Sequence, residues 1–223
     1  MKRWLIVSVA LTVAALAGGL YVYFGLYDRL PERVPVHWGI DGQPDGWVAR
    51  ENAIGIFLIT PGVMLLFLGL TFLLPAISPA RFGVEEFRDT WNYLMTLVLA
   101  LFAYIQAAVL WASLSGPPHG IRPLVAGIFV FFALFGNVLG KVRRNFWLGI
   151  RTPWTLASEA VWNRTHRVWA WGWTAMGVIG TVATLVGAPY PALFVFLIVG
   201  VLAPVPHSYF IYRRLHPAGS APE

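Results

Sequence analysis

Apolar residues recur along this chain in long blocks, not at the narrow spacing of an amphipathic surface helix. Predominantly apolar runs extend from about Trp4 to Leu26, Ala53 to Leu74, Asn92 to Ala112, Leu124 to Leu139, Val168 to Val186 and Tyr190 to Tyr209. A helix of about 20 apolar residues crosses the ~30 Å hydrocarbon core of a bilayer. The expected fold is therefore an all-α integral membrane protein with six transmembrane helices. The fourth run is short unless Ile121 and Val142 join it, so a tilted or interrupted entry is expected there. Pro61, Pro204 and Pro206 should bend or end the local helix without excluding a span.

The opening MKRWLIVSVALTVAALAGG also has the form of a secretory signal: a basic start, an apolar stretch, and Ala15-Leu16-Ala17 before Gly18. The apolar run continues through YVYFGLY with no polar cleavage region, which favours retention as a first span. Cleavage would leave five.

Composition agrees with membrane residence. Of 223 residues, 58% are hydrophobic and 12% charged, too few charges to clothe a soluble domain of this length. There is no cysteine, which excludes disulfides and thiolate chemistry. The net charge of +6 is distributed unevenly. Lys2 and Arg3 precede the first span, and Arg81 and Arg88 separate the second from the third. Lys141, Arg143, Arg144, Arg151, Arg164 and Arg167 lie between the fourth and fifth, and Arg213 and Arg214 follow the sixth. Only Arg29, Arg33, Arg50 and Arg122 fall on the opposite side. Excess cations mark cytoplasmic flanks, so both termini are expected in the cytoplasm.

Two loops carry the unusual chemistry. Between the first two spans, YDRLPERVPVHWGIDGQPDGWVARENA is rich in proline and glycine, which implies turns. His37, Asp41 and Asp45 are chemically suitable metal ligands. Their spacing matches no metal motif, and a compact loop with local capping is the favoured reading. Trp38 and Trp47 suit the headgroup boundary. The second loop, KVRRNFWLGIRTPWTLASEAVWNRTHRVWAW, follows the fourth span. Pro153 should precede a helix capped by Thr155 or Ser158. Beyond it, Trp162, His166, Trp169 and Trp173 recur by four, three and four, which places them on one helical face. That face reads either as a structural collar at the membrane boundary or as a cytoplasmic recognition surface of Arg151, Trp154, Trp162, Asn163, His166 and Arg167. A nucleic-acid groove does not fit cations embedded among membrane flanks. Lys141, Arg143 and Arg144 can instead meet anionic headgroups of the surrounding lipids.

The words of these loops carry a resemblance. Asn145-Phe146-Trp147-Leu148-Gly149-Ile150-Arg151-Thr152-Pro153-Trp154-Thr155-Leu156, then Val161-Trp162-Asn163 and Thr165-His166-Arg167, resemble the signature of the SdpI family, as do Gly136-Asn137 and Ser208-Tyr209-Phe210. Leu30 to Trp38, with Gly42 and Asp45-Gly46-Trp47, resembles the DUF1648 domain found at the amino end of such proteins. The resemblance implies two membrane regions. Residues 1–113 would form a three-helix region with an extracytoplasmic loop at 27–52. Residues 121–214 would form an SdpI-like three-helix region with a cytoplasmic loop at 141–165. It also implies immunity to a secreted antimicrobial peptide at the bacterial cell membrane, coupled in some members to sequestration of a cytoplasmic repressor.

Other function classes find less support. No phosphate-binding glycine loop or His-Glu-x-x-His pattern is present. Ser115 and His119 share one loop and Asp41 and Asp45 another, with nothing in the spacing to join them. No enzyme and no cofactor is expected. A small-solute transporter or a structural scaffold remains the alternative, with Asn137 as an intramembrane polar group able to bond a neighbouring helix or a substrate. Almost no ionisable groups occur in the apolar runs, which disfavours a proton relay.

Overall fold

The computed structural model describes residues 2–115 and 121–216. Six of its helical stretches are long and apolar enough to cross a membrane, and the protein is a multi-pass, all-α integral membrane protein. Helix α1 spans Lys2–Leu20 and continues as a wider turn through Gly25. A two-stranded hairpin follows, with β1 at Arg33–Trp38 and β2 at Pro44–Ala49. Then come α2 (Ala53–Ala76), α3 (Arg88–Ser115) and α4 (Arg122–Leu139). A short α5 (Pro153–Ala157) precedes α6 (Glu159–Leu185), and α7 (Tyr190–Leu202) leads directly into α8 (Pro204–Leu215). Six crossings put both ends of the chain on one face. That face, holding the 80–88 turns and the segment after α4, is called the basic end here; the other is the hairpin end.

Each proline obeys its local context. Pro61 lies inside α2 without ending it, because neighbouring groups and side chains can satisfy carbonyls freed within a membrane helix, whereas Pro75 sits one residue before the helix ends. Pro204 instead opens α8 at its first turn, where its missing N–H costs nothing. The sixth crossing is therefore two helices end to end.

Helices α1, α2 and α3 pack together, α4 and α6 form the most extensive pair, and α3 meets α4 between these groups. The α4–α6 crossing depends on small residues. A Cβ added at Gly177 would lie 2.3 Å from the Ala133 backbone nitrogen, and one at Gly136 would lie 2.5 Å from that of Thr174. Only hydrogen fits there, so the two backbones approach closely and gain dispersion contacts along their length. Phe129, Trp173 and Met176 fill the core beside this crossing. Side chains such as Ile6, Val13, Leu66, Ile179 and Val195 point outward. In lipid that exposure carries no hydrophobic cost.

Polar side chains within the bundle are mostly satisfied. Ser8 and Thr96 hydroxyls meet at 2.9 Å between α1 and α3, and Gln106 donates to the Phe57 carbonyl at 2.9 Å. Asn137 does not make the interhelical bond that was one of the two roles open to it. It sits two residues from the end of α4 with its side chain exposed, and the crossing is made by its neighbour Gly136 instead.

Candidate functional site

The hairpin end is built by antiparallel pairing of β1 with β2, in register from Arg33↔Ala49 to Trp38↔Pro44 with irregularities on either side of His37. The expected compact loop is thus a pair of strands. The turn closes where Gly39 N–H donates to Gln43 O at 2.8 Å and Gly42 N–H donates to Gly39 O at 2.9 Å. Gly42 has φ of 78°, a left-handed conformation that glycine adopts without penalty. Asp41 accepts from Gln43 N–H at 3.0 Å, the local capping role of a turn aspartate. His37 Nδ1 and Asp45 Oδ1 lie 2.5 Å apart, both side chains exposed. An ionised carboxylate only accepts, so Nδ1 carries the proton. Among the described residues no group of three His, Asp or Glu side chains is arranged to hold a metal ion. Trp47 is exposed beneath the Arg33 guanidinium at 5.4 Å. Trp38 is half-buried and faces Trp111, Ile121 and Leu124 across a narrow groove.

The tip of the hairpin reaches the other half of the molecule. A Cβ at Gly42 would come within 2.3 Å of the Tyr190 ring at the start of α7. Arg122 stacks on that ring at 4.9 Å and donates to the carbonyls of Thr184 and Ala188 at 3.1 and 3.2 Å. The first carbonyl belongs to the last turn of α6 and the second to the segment just after it, where unsatisfied acceptors and the helix dipole favour a cation. Hairpin, α7, α4 and α6 thus meet at one point.

At the basic end, the segment after α4 folds into a buried polar knot. Asn145 Nδ2 donates to the carbonyls of Arg143 and Leu148, both at 2.9 Å, and its Oδ1 accepts from Trp147 and Leu148 N–H, both at 2.8 Å. One amide side chain therefore templates the turn. Gly149 follows with φ of 116°, and a Cβ there would fall 2.4 Å from His166 Nε2. His166 Nδ1 donates to Trp162 O at 2.9 Å, while Nε2 accepts from Ile150 N–H at 3.0 Å. That pair of bonds fixes a neutral ring. Trp162 stacks on it at 4.0 Å and donates from Nε1 to Val142 O at 2.8 Å.

The rest of the knot ties in α5 and α8. Thr152 caps α5, and Thr155 returns the bond as a reciprocal capping box. The cap expected at Thr155 thus falls on Thr152, while Ser158 caps α6 as expected. Thr152 and Ser208 hydroxyls meet at 3.0 Å. Trp169 donates to His207 at 3.0 Å and Trp173 to Gly200 O at 3.0 Å. All four members of the face read from the sequence therefore engage partners through their ring nitrogens.

The structure divides the expected recognition residues of this segment. Trp162 and His166 are buried, Trp154 and Asn163 are half-buried, and Arg151 and Arg167 are exposed. Trp154 packs on Tyr209 at 5.1 Å, and Arg151 donates to Phe146 O. Ser115 ends α3, whereas His119 lies outside the described residues. Sequence reasoning did not single out Asn145, Thr152 or Arg122. The Thr-Pro pair before a helix was the available signal for Thr152; Asn145 and Arg122 act through contacts that only the fold creates.

Residues 141–209 match the SdpI/YfhL protein family, and residues 10–65 match a domain of unknown function, DUF1648. The chain is 27% identical over 193 residues to "Immunity protein SdpI" of Bacillus subtilis, covering 86% of this chain and 89% of that one. It is 30% identical over 147 residues to an uncharacterized protein of Archaeoglobus fulgidus, covering 53% of this chain and 80% of that one. No solved structure matches. The knot falls within the first match and the hairpin within the second, and the chain belongs to the SdpI/YfhL family.

Proposed function

We infer that this protein is an immunity protein of the bacterial cell membrane, which protects its host from a secreted membrane-active peptide by binding and not by chemistry. The observation that carries the reading is the likeness to Immunity protein SdpI over 86% of this chain, which extends along most of the sequence and is not confined to one loop. The geometry favours a noncatalytic role. His166, at the centre of the knot, has both ring nitrogens committed to structural bonds. The hairpin presents His37, Asp45 and Trp47 outward, a polar and aromatic surface suited to a peptide lying at the headgroup boundary.

The charge bias supports placing the hairpin outside the cell and the basic end in the cytoplasm. Helix α6 runs unbroken from the knot to the Arg122 contact. Peptide binding at the hairpin therefore has a rigid element through which to reach a cytoplasmic repressor, with Arg151, Asn163 and Arg167 as the docking residues. A Bacillus subtilis strain lacking its own SdpI, exposed to the agent that then kills it, provides the test. Expression of this chain is expected to restore survival, and the His37→Ala/Asp45→Ala variant to lose it. Unchanged killing despite verified membrane insertion would reject the immunity reading for that agent.

A further inference from the structure

A polar cavity of about 250 Å³ opens at the basic end beside the knot. Its walls come from four separate segments: Arg81 from the turn between α2 and α3, Arg144 from the segment after α4, Ser158 and Glu159 from the start of α6, and Tyr212 and His216 from the end of α8. The two guanidiniums flank the same ring, each 5.8 Å from the centre of Phe82. Two cations lining one cavity give it a positive potential that favours an anion. Neither forms an ion pair among the described residues. Arg144 spends one nitrogen on long bonds of 3.4 Å to the Leu156 and Ala157 carbonyls, which fix its direction.

Helix α6 adds donors to the same space. It is 27 residues long and begins at Glu159. Ser158 Oγ takes the Val161 N–H at 3.5 Å, while the first-turn amides of Glu159 and Ala160 have no intrahelical acceptor. The Glu159 carboxylate also lines the cavity, so the fixed charge is two cations against one anion. A monoanion completes that balance.

We propose that this cavity is a phosphate site that takes a singly charged phosphodiester, the group carried by an anionic phospholipid headgroup. The cavity lies among the basic-end termini of α6 and α8, and its cations come from both halves of the molecule. A bound phosphate therefore fastens the turn between α2 and α3 to the segment after α4. The proposal stands whichever face of the membrane the basic end occupies, and it does not depend on peptide immunity.

The test uses the full chain in phosphatidylcholine nanodiscs with or without phosphatidylglycerol, read by native mass spectrometry and by melting temperature, with inorganic phosphate as a soluble competitor. The expected result is one retained phosphatidylglycerol per chain and a raised melting temperature. Arg81→Gln/Arg144→Gln should weaken retention about 25-fold, about fivefold for each guanidinium. Arg81 is exposed, so Arg81→Gln alone is expected to fold normally and to show the fivefold loss. Arg213→Gln/Arg214→Gln removes the same charge from the same end but outside the cavity, and should leave retention within about twofold. Stabilisation by inorganic phosphate in pure phosphatidylcholine, lost in the Arg81 variant, would assign the same site to free phosphate. Equal losses in the two double variants would show a diffuse cationic belt and overturn the proposal. Retention unaffected by Arg81→Gln, with no response to phosphate, would overturn it as well.

Discussion

Replacing Gly149 by Ala perturbs the polar knot at one defined point. A φ of 116° is a conformation that L side chains avoid, and imposing it costs about 1–3 kcal/mol. The new Cβ would also lie 2.4 Å from His166 Nε2, so the imidazole must move. Its displacement strips the buried Ile150 N–H of its acceptor, a further ~1–3 kcal/mol. Gly149→Ala should therefore destabilise the fold by about 4 kcal/mol. His166→Ala removes the same acceptor and the ring stacked on Trp162, for about 3 kcal/mol. Because both substitutions abolish one shared bond, the double variant should cost about 5 kcal/mol instead of the ~7 kcal/mol of independent sites. Unfolding by SDS in mixed micelles, followed by far-ultraviolet circular dichroism, measures all three. Additivity within ~0.5 kcal/mol would refute the idea that Gly149 exists to make room for the His166 bond.

Other variants test other joints of the structure. Gly177→Leu drives a side chain into the α4 backbone and should cost more than about 3 kcal/mol, whereas at Gly62 on α2 an added Cβ meets nothing within 4 Å and Gly62→Leu should melt near wild type. Equal melting temperatures for the two would contradict the close α4–α6 crossing. Gly42→Ala combines a φ of 78° with a clash against Tyr190; limited proteolysis in detergent should cut the hairpin faster, and an unchanged rate would mean the tip is not held there. Asp45→Asn breaks an exposed pair and should shift stability by less than about 1 kcal/mol while reducing survival in the peptide assay. Survival at the wild-type level would remove the His37–Asp45 pair from the recognition surface.

The crossings were legible in the sequence because a bilayer demands long apolar runs, and that demand is written residue by residue. Their ends were less so. Helix α6 starts at Glu159, as the Ser158 cap implied, well before the apolar run near Val168, since its first turns are polar and held by the knot instead of by lipid. The hairpin hid behind Pro31, Pro35 and three glycines, which read as turns. Its alternation is also interrupted by the irregular pairing around His37. The aromatic face of Trp162, His166, Trp169 and Trp173 was visible as a spacing. Its partners were not, because Val142, Ile150, Gly200 and His207 are brought to it only by tertiary folding. Asn137 misled for the opposite reason. A lone amide in an apolar run suggests an interhelical bond, yet the neighbouring glycine makes the contact and the amide points outward.

The absence of cysteine permits a direct test of which end of the molecule faces the peptide. Single cysteines at Asp41→Cys, on the hairpin turn, and at Arg167→Cys, on the exposed side of α6 beside the knot, can be labelled with a membrane-impermeant maleimide. The account predicts that position 41 labels in intact cells and position 167 only after permeabilisation. Labelling of position 167 in intact cells, with position 41 protected, would contradict it.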